Sequence, residues 1–251
     1  MNFNIITIFP EMFTALESGI TGRAQKNDLI SVKCWDLRDF SGNKHRRVDE
    51  RPYGGGPGMV MMYAPLKKAI TAVKQASAIP ARVIHLSPQG KPVQQEMLQN
   101  LVTDNEVKNL IFLSGRYEGI DERLIAEEVD EEWSIGDYII SGGELATMVI
   151  IDAITRLLPG ALGDPESSQQ DSFGAGLLDY PHYTRPENIN NLPVPEILLS
   201  GDHAAIARWR LKQSLGRTWL RRSDLLAQKK LNKEEEKLLD EFIIDNNGFV
   251  E

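Results

Sequence analysis

Two apolar runs that each end in a glycine turn constrain this chain most. Asn109-Leu-Ile-Phe-Leu113 is continuous and apolar, as a strand buried on both faces is, and it breaks at Ser114-Gly115. Asp137-Tyr-Ile-Ile140 reads as a second strand, breaks at Ser141-Gly142-Gly143 and hands over to a helical pattern over 144–157. In an open α/β sheet, ligands sit outside the carboxyl ends of strands, where such turns gather. Glycine there lets backbone groups approach a ligand that a β-carbon would hold off. A pocket and a pair of ordinary strand-to-helix turns both fit this spacing.

The remaining pattern sets these runs in a layered fold. Residues 2–9 and 31–35 read as strands, with a helix beginning over 10–17 between them. A helix over 65–78, a strand over 82–86 ended by the turn Ser87-Pro-Gln-Gly90, and a helix over 93–101 follow. Strands alternating with helices predict an α/β fold, a mostly parallel sheet with helices on both faces. From 159 to 195 the chain turns rich in Pro, Gly, Ser, Asp and Asn, far longer than an ordinary connection. The predicted organisation is an α/β domain over 1–160, a linker over 161–195 and a small all-helical domain over 196–251. In the last, 201–215 is helical, Gly216 reads as its stop, 218–228 as a second helix, and Asn232-Lys-Glu-Glu235 as a capping box for a third.

Composition excludes several classes. The single cysteine, Cys34, cannot form an internal disulfide, and His45, His85, His182 and His203 lack zinc-site spacing. No window approaches the ~20 apolar residues of a membrane span. The N-terminal apolar run lacks the basic residues of a signal peptide, so a cytoplasmic protein is expected. The net charge of −8 hides segregation: 118–144 holds ten carboxylates and one arginine, whereas 208–222 holds six basic residues and no acid. Local charge sets the field at a binding surface.

Three features point to ligands. The turns at 114–120 and 136–143, with Pro88, offer backbone donors and acceptors suited to an adenine edge, and Leu86, Tyr117, Ile135, Tyr138 and Ile140 offer apolar packing or core. Pro52-Tyr-Gly-Gly-Gly-Pro-Gly58 lacks the Lys-Ser/Thr ending of a P-loop, and reads as a flexible loop or as a wall beside a nucleotide. A nucleotide without a phosphate chain fits best. Arg208, Arg210, Lys212, Arg217, Arg221 and Arg222, interleaved with Trp209 and Trp219, suit a phosphate backbone. Arg156 closes an apolar helix, as a helix cap or in search of a partner.

These motifs together carry a family resemblance. Gly115-Arg-Tyr-Glu-Gly-Ile-Asp121, Trp133-Ser-Ile-Gly-Asp-Tyr138, Ser141-Gly-Gly-Glu-Leu145, Asp171-Ser-Phe173, Pro181-His-Tyr-Thr-Arg-Pro186 and Arg210-Leu-Lys-Gln-Ser-Leu-Gly-Arg-Thr218 resemble the bacterial tRNA (guanine-37-N1)-methyltransferases of the SPOUT superfamily. The resemblance spans essentially the whole chain. It implies a trefoil knot at the C-terminal end of the first domain and a homodimer whose subunits share each active site. It also implies S-adenosylmethionine held against Leu86, Ser87, Pro88, Gly115, Tyr117, Glu118, Gly119, Ser134, Ile135, Gly136, Tyr138, Ile140, Gly142 and Gly143. Ile140 stands where family members often carry Leu. Asp171 is implied as general base and Arg156 as the group facing guanine O6, with Ser172 and the basic helix on the tRNA. Magnesium is implied as a weakly held, hydrated ion, and no all-protein cage for it is visible. An RNA-binding module with a vestigial pocket is the alternative; a Rossmann enzyme would need a glycine turn after the first strand, which Ile8-Phe-Pro-Glu-Met12 lacks.

Overall fold

A computed structural model describes residues 1–104, 106–163 and 171–246. The chain divides into two compact units, Met1–Pro165 and Glu166–Glu251.

The first unit is built on β1 (Asn2–Thr7), β2 (Ser31–Asp36), the two-residue strands β3 (Asp49–Glu50) and β4 (Val60–Met61), β5 (Arg82–Pro92), β6 (Asn109–Leu113) and β7 (Glu131–Ser134). Five of these form one parallel sheet in the order β2-β1-β6-β5-β7. Its helices are α1 (Gly19–Lys26), α2 (Tyr63–Gln75), α3 (Gln95–Thr103), α4 (Glu122–Glu128) and α5 (Gly143–Leu157), with a 3₁₀ turn over Pro10–Glu17.

Strand alternation divides the core between the two faces of the sheet. Phe3, Ile5, Ile84, Leu110, Phe112 and Trp133 pack with residues of α1, α3 and α5 on one face. Ile6, Val83, Ile111 and Leu113 pack with α2 and α4 on the other. Central β6 is therefore buried at all five positions, as its unbroken apolar run predicts. Burying each such large side chain contributes roughly 1.5–3 kcal/mol. Phe112 lies between Phe3 and Trp133, with ring centroids 6.2 and 6.3 Å away.

Two strand expectations are corrected. Residues 137–140 form an exposed loop, not a strand, because the chain leaves the sheet earlier, at Gly136 with φ of 144°. The strand is instead β7, which carries acids at Glu131 and Glu132. Arg82 pairs with Glu131 and His85 with Glu132, so the acids are met at the sheet edge. Nor does β5 end at the turn after Leu86. It bulges through Ser87–Gly90 and resumes, so that Leu86 and Lys91 both stand in register with Trp133.

The second unit holds a short hairpin of β8 (Asn188–Ile189) and β9 (Leu192–Pro193), then α6 (His203–Arg221), α7 (Ser223–Gln228) and α8 (Lys233–Asn246). Leu177, Leu215 and Leu238 form its centre. The expected stop at Gly216 is overrun, and α6 continues to Arg221. A β-carbon at Gly216 would stand 2.2 Å from the Phe242 ring, so this glycine serves close helix packing. The capping box forms as read. Asn232 Oδ1 accepts from the Glu234 and Glu235 N–H groups at 2.9 and 3.0 Å, and the Asn232 N–H donates to Glu235 Oε2 at 2.9 Å.

Candidate active site

A cleft of about 440 Å³ opens at the bulge of β5 and the carboxyl ends of β6 and β7. All fourteen residues that the resemblance implies for cofactor binding line it: Leu86, Ser87 and Pro88 at the bulge within β5, Gly115, Tyr117, Glu118 and Gly119 after β6, Ser134 at the end of β7, and Ile135, Gly136, Tyr138, Ile140, Gly142 and Gly143 after it. The three turns therefore meet in one place, the topology's usual site for a ligand.

Close backbone contact holds the turns together. Gly143 N–H donates to the Gly115 carbonyl at 2.8 Å, and a β-carbon on Gly143 would stand 2.8 Å from Ser114 Cα. Arg116 Nε donates to Glu144 Oε2 at 2.7 Å, Arg116 Nη1 to the Ser141 carbonyl at 3.1 Å, and Thr7 Oγ1 to Glu144 Oε1 at 2.9 Å. Tyr117, a non-glycine residue, sits in the left-handed region with φ of 62°. Such backbone costs on the order of 1–3 kcal/mol and gathers at binding sites.

The glycine cluster at 52–58 leads into β4, which tethers the first turn. Glu118 N–H donates to the Met59 carbonyl at 2.9 Å, and Met61 N–H to the Gly119 carbonyl at 2.9 Å. The Glu118 carboxylate lies against Gly58. Residues 53–58 are themselves exposed and none of them lines the cleft.

The cleft is acidic. Glu118, Glu122 and Glu132 line it, and the one lining guanidinium, Arg116, is paired with buried Glu144. Sequence reasoning missed His85, Arg116, Glu122 and Glu132. His85 directly precedes Leu86-Ser87-Pro88, which was the only local signal. Burial holds the His85 imidazole below its ordinary pKa, against the opposing pull of Glu132 and Glu122.

Arg156 is half-buried in the last turn of α5 and does not line the cleft. Asp171 and Ser172 belong to the second unit. There Gly174 N–H donates to the Asp171 carbonyl at 3.2 Å, and Ser172 Oγ accepts from Asp179 N–H at 3.0 Å. The Leu178 N–H donates to Thr218 Oγ1 at 2.9 Å, so this segment is anchored on α6.

The basic helix is partly neutralised, contrary to its local sequence. Arg208 pairs with Glu241 at 2.8 Å, Lys212 with Asp245 at 2.7 Å, and Arg222 with Asp224 at 2.7 Å. Arg210 lies 4.7 Å over the Tyr180 ring. Among the described residues Arg217 and Arg221 make no ion pair. With Arg210 they share one face at i, i+7 and i+11. The described residues contain no cluster of three or more His, Cys, Asp or Glu placed to hold a metal ion, and no helix long and apolar enough to cross a membrane.

Residues 1–228 match the family described as tRNA (guanine-1)-methyltransferase TrmD. The chain is 60% identical over 243 residues to a Coxiella burnetii protein named tRNA (guanine-N(1)-)-methyltransferase, covering 97% of this chain and 98% of that one. Proteins of the same name from Aeromonas hydrophila and Shewanella sediminis are 58% and 57% identical over 244 residues. Those alignments cover 97% of this chain and 97% and 100% of the relatives.

Proposed function

The chain belongs to the tRNA (guanine-1)-methyltransferase family, and from that premise we propose that it moves the methyl group of S-adenosylmethionine to N1 of guanine-37. That base adjoins the anticodon in tRNA, and its methylation maintains the reading frame.

The observation that carries the donor is the cleft itself. Its rim is glycine backbone with no side chain to hold a ligand off, its base is apolar at Leu86 and Trp133, and its lining carboxylates suit a cation. No cationic side chain there is left unpaired for a triphosphate. S-adenosylmethionine, an adenosine with a sulfonium and an ammonium, fits that chemistry. When bound it supplies an electrophilic methyl group. The fourteen residues implied by the resemblance would hold and orient it, which is most of what an in-line transfer needs.

Guanine N1 carries a proton at neutral pH and is a poor nucleophile until that proton leaves. Asp171 takes it as general base, a contribution typically about 10²–10⁴-fold in rate. Arg156 faces O6 and stabilises the negative charge that develops there. Asp171 acts from the partner subunit of a homodimer. Leu145 and Val149, apolar and half exposed on one face of α5, support such an association. Ser172, Arg208, Arg210, Lys212, Arg217, Arg221 and Arg222 contact the tRNA, with Arg210, Arg217 and Arg221 foremost because their charges are not matched by a carboxylate. The carboxyl end of the first unit is threaded as a trefoil knot, the protein works in the cytoplasm, and any magnesium is held weakly and largely hydrated.

Incubating the protein with an unmodified tRNA transcript and labelled S-adenosylmethionine, then mapping the methylated atom, tests this reading. Label on N1 of guanine-37 supports it. Label on another atom, or none, removes it.

A further inference from the structure

The most buried titratable group lining the cleft has no part in the mechanism above. His85, only 5% exposed, points from β5 toward α4 on the same face of the sheet as Val83. Its Nδ1 lies 3.0 Å from Glu132 Oε2. Its Nε2 is the atom nearest Gly115, 3.0 Å from where a β-carbon on that glycine would stand. Among the described residues Nε2 makes no hydrogen bond, yet no buried side-chain nitrogen or oxygen there lacks a partner. Nε2 therefore touches the cleft.

A carboxylate accepting from Nδ1–H fixes the tautomer and leaves the Nε2 lone pair as an acceptor. We infer that His85 is a positioning residue for the methyl donor, held by Glu132 so that Nε2 receives a hydrogen bond from one of its N–H or O–H groups. The candidate groups on S-adenosylmethionine are the adenine amino group, a ribose hydroxyl and the α-ammonium. The inference rests on the cofactor reading given above.

The surroundings give the site a pH response. Glu132 on β7 and Glu122 on α4 face the ring, β6 presents apolar Leu113 beside it, and the turn after β6 brings Glu118 and the paired Arg116 to the same cleft. Protonated at Nε2, the ring donates and can no longer accept, and it sets a positive charge beside a cationic ligand. Affinity therefore falls as the solution is acidified through the pKa of His85, by up to about tenfold per pH unit for one linked proton.

Calorimetric titration of S-adenosylmethionine into the full-length protein from pH 8 to pH 5.5 tests this. His85→Phe should weaken binding roughly 5–15-fold at pH 8, the loss of one hydrogen bond to a charged or polar group, and flatten the pH profile. His85→Gln keeps an acceptor and should recover part of the affinity without the pH response. Glu132→Gln should weaken binding less than His85→Phe. Methylthioadenosine, which lacks the amino-acid portion and the sulfonium charge, divides the candidates: a retained pH response assigns the adenine amino group or a ribose hydroxyl, and a lost one the ammonium or the ligand's charge. If the wild type and His85→Phe bind equally with one pH profile, the inference is wrong while the cofactor reading stands. If the wild type gives no heat at pH 8, both fall.

Discussion

Arg116 and Glu144 form an ion pair of 2.7 Å that joins the turn after β6 to the first turn of α5. Glu144 is fully buried, and Thr7 on β1 takes its other oxygen. One carboxylate thus ties three segments of the first unit together behind the cleft.

Arg116→Ala strands that carboxylate in the core. Breaking a buried pair from one side typically costs about 3–5 kcal/mol. Chemical denaturation should show a loss of that size. Arg116→Ala combined with Glu144→Gln should recover part of it, because the neutral side chain needs no cation.

Asp171→Asn should lower methyl transfer by about 10²–10⁴-fold while affinity for S-adenosylmethionine is unchanged. Single-turnover assays beside calorimetry check this. Wild-type rates in the variant would remove Asp171 from the base role.

Replacing Arg217 and Arg221 together with Ala should weaken tRNA binding and reduce the slope of log affinity against log salt by roughly 1.5–2. Arg208→Ala should change the slope less, since Glu241 already accompanies that charge at 2.8 Å. Filter binding across a salt series reads both.

Gly216→Ala should destabilise the second unit by about 1–2 kcal/mol. Alanine gains up to roughly 1 kcal/mol of helix propensity, but forcing a methyl to within 2.2 Å of the Phe242 ring carries a larger overpacking cost. Thermal melting of the full chain measures the net sign.

Cys34 should resist alkylation at pH 7.5. Burial pushes its thiol up to about 11, so almost none is present as the reactive thiolate. A time course with iodoacetamide should show labelling much slower than for a free thiol, rising steeply once unfolded.

The sequence disclosed most where local chemistry decides structure. Five consecutive apolar residues made β6 plain, and Asn232 with Glu235 announced the start of α8. The glycine turns were legible as ligand-approaching backbone, and they do converge on one cleft. What escaped depends on distant partners. Tyr138, Ile139 and Ile140 look like strand residues, while the actual strand carries Glu131, paired with Arg82, and Glu132, hydrogen-bonded to His85, both from about 50 positions earlier. Gly216 resembles a helix stop only until Phe242 is known to need its space. The basic helix looked unopposed because Glu241 and Asp245 lie some 30 residues further along. His85 carries no ligand signal of its own, because one histidine beside an apolar run is ordinarily core.

The bulge in β5 has a mechanical consequence. Leu86 and Lys91 flank Ser87–Gly90 and both stand opposite Trp133, and Val93 N–H adds a further bond to the Ser134 carbonyl at 2.8 Å. That rim is pinned at both feet and cannot swing outward as a hinged flap. Ile139, 82% exposed on the opposite lip, has no such mooring in the sheet. The 136–141 lip is held instead by side-chain and turn contacts, Arg116 Nη1 to the Ser141 carbonyl at 3.1 Å and Tyr138 N–H to the Gly136 carbonyl at 3.0 Å, so the two sides of the cleft are built by different means.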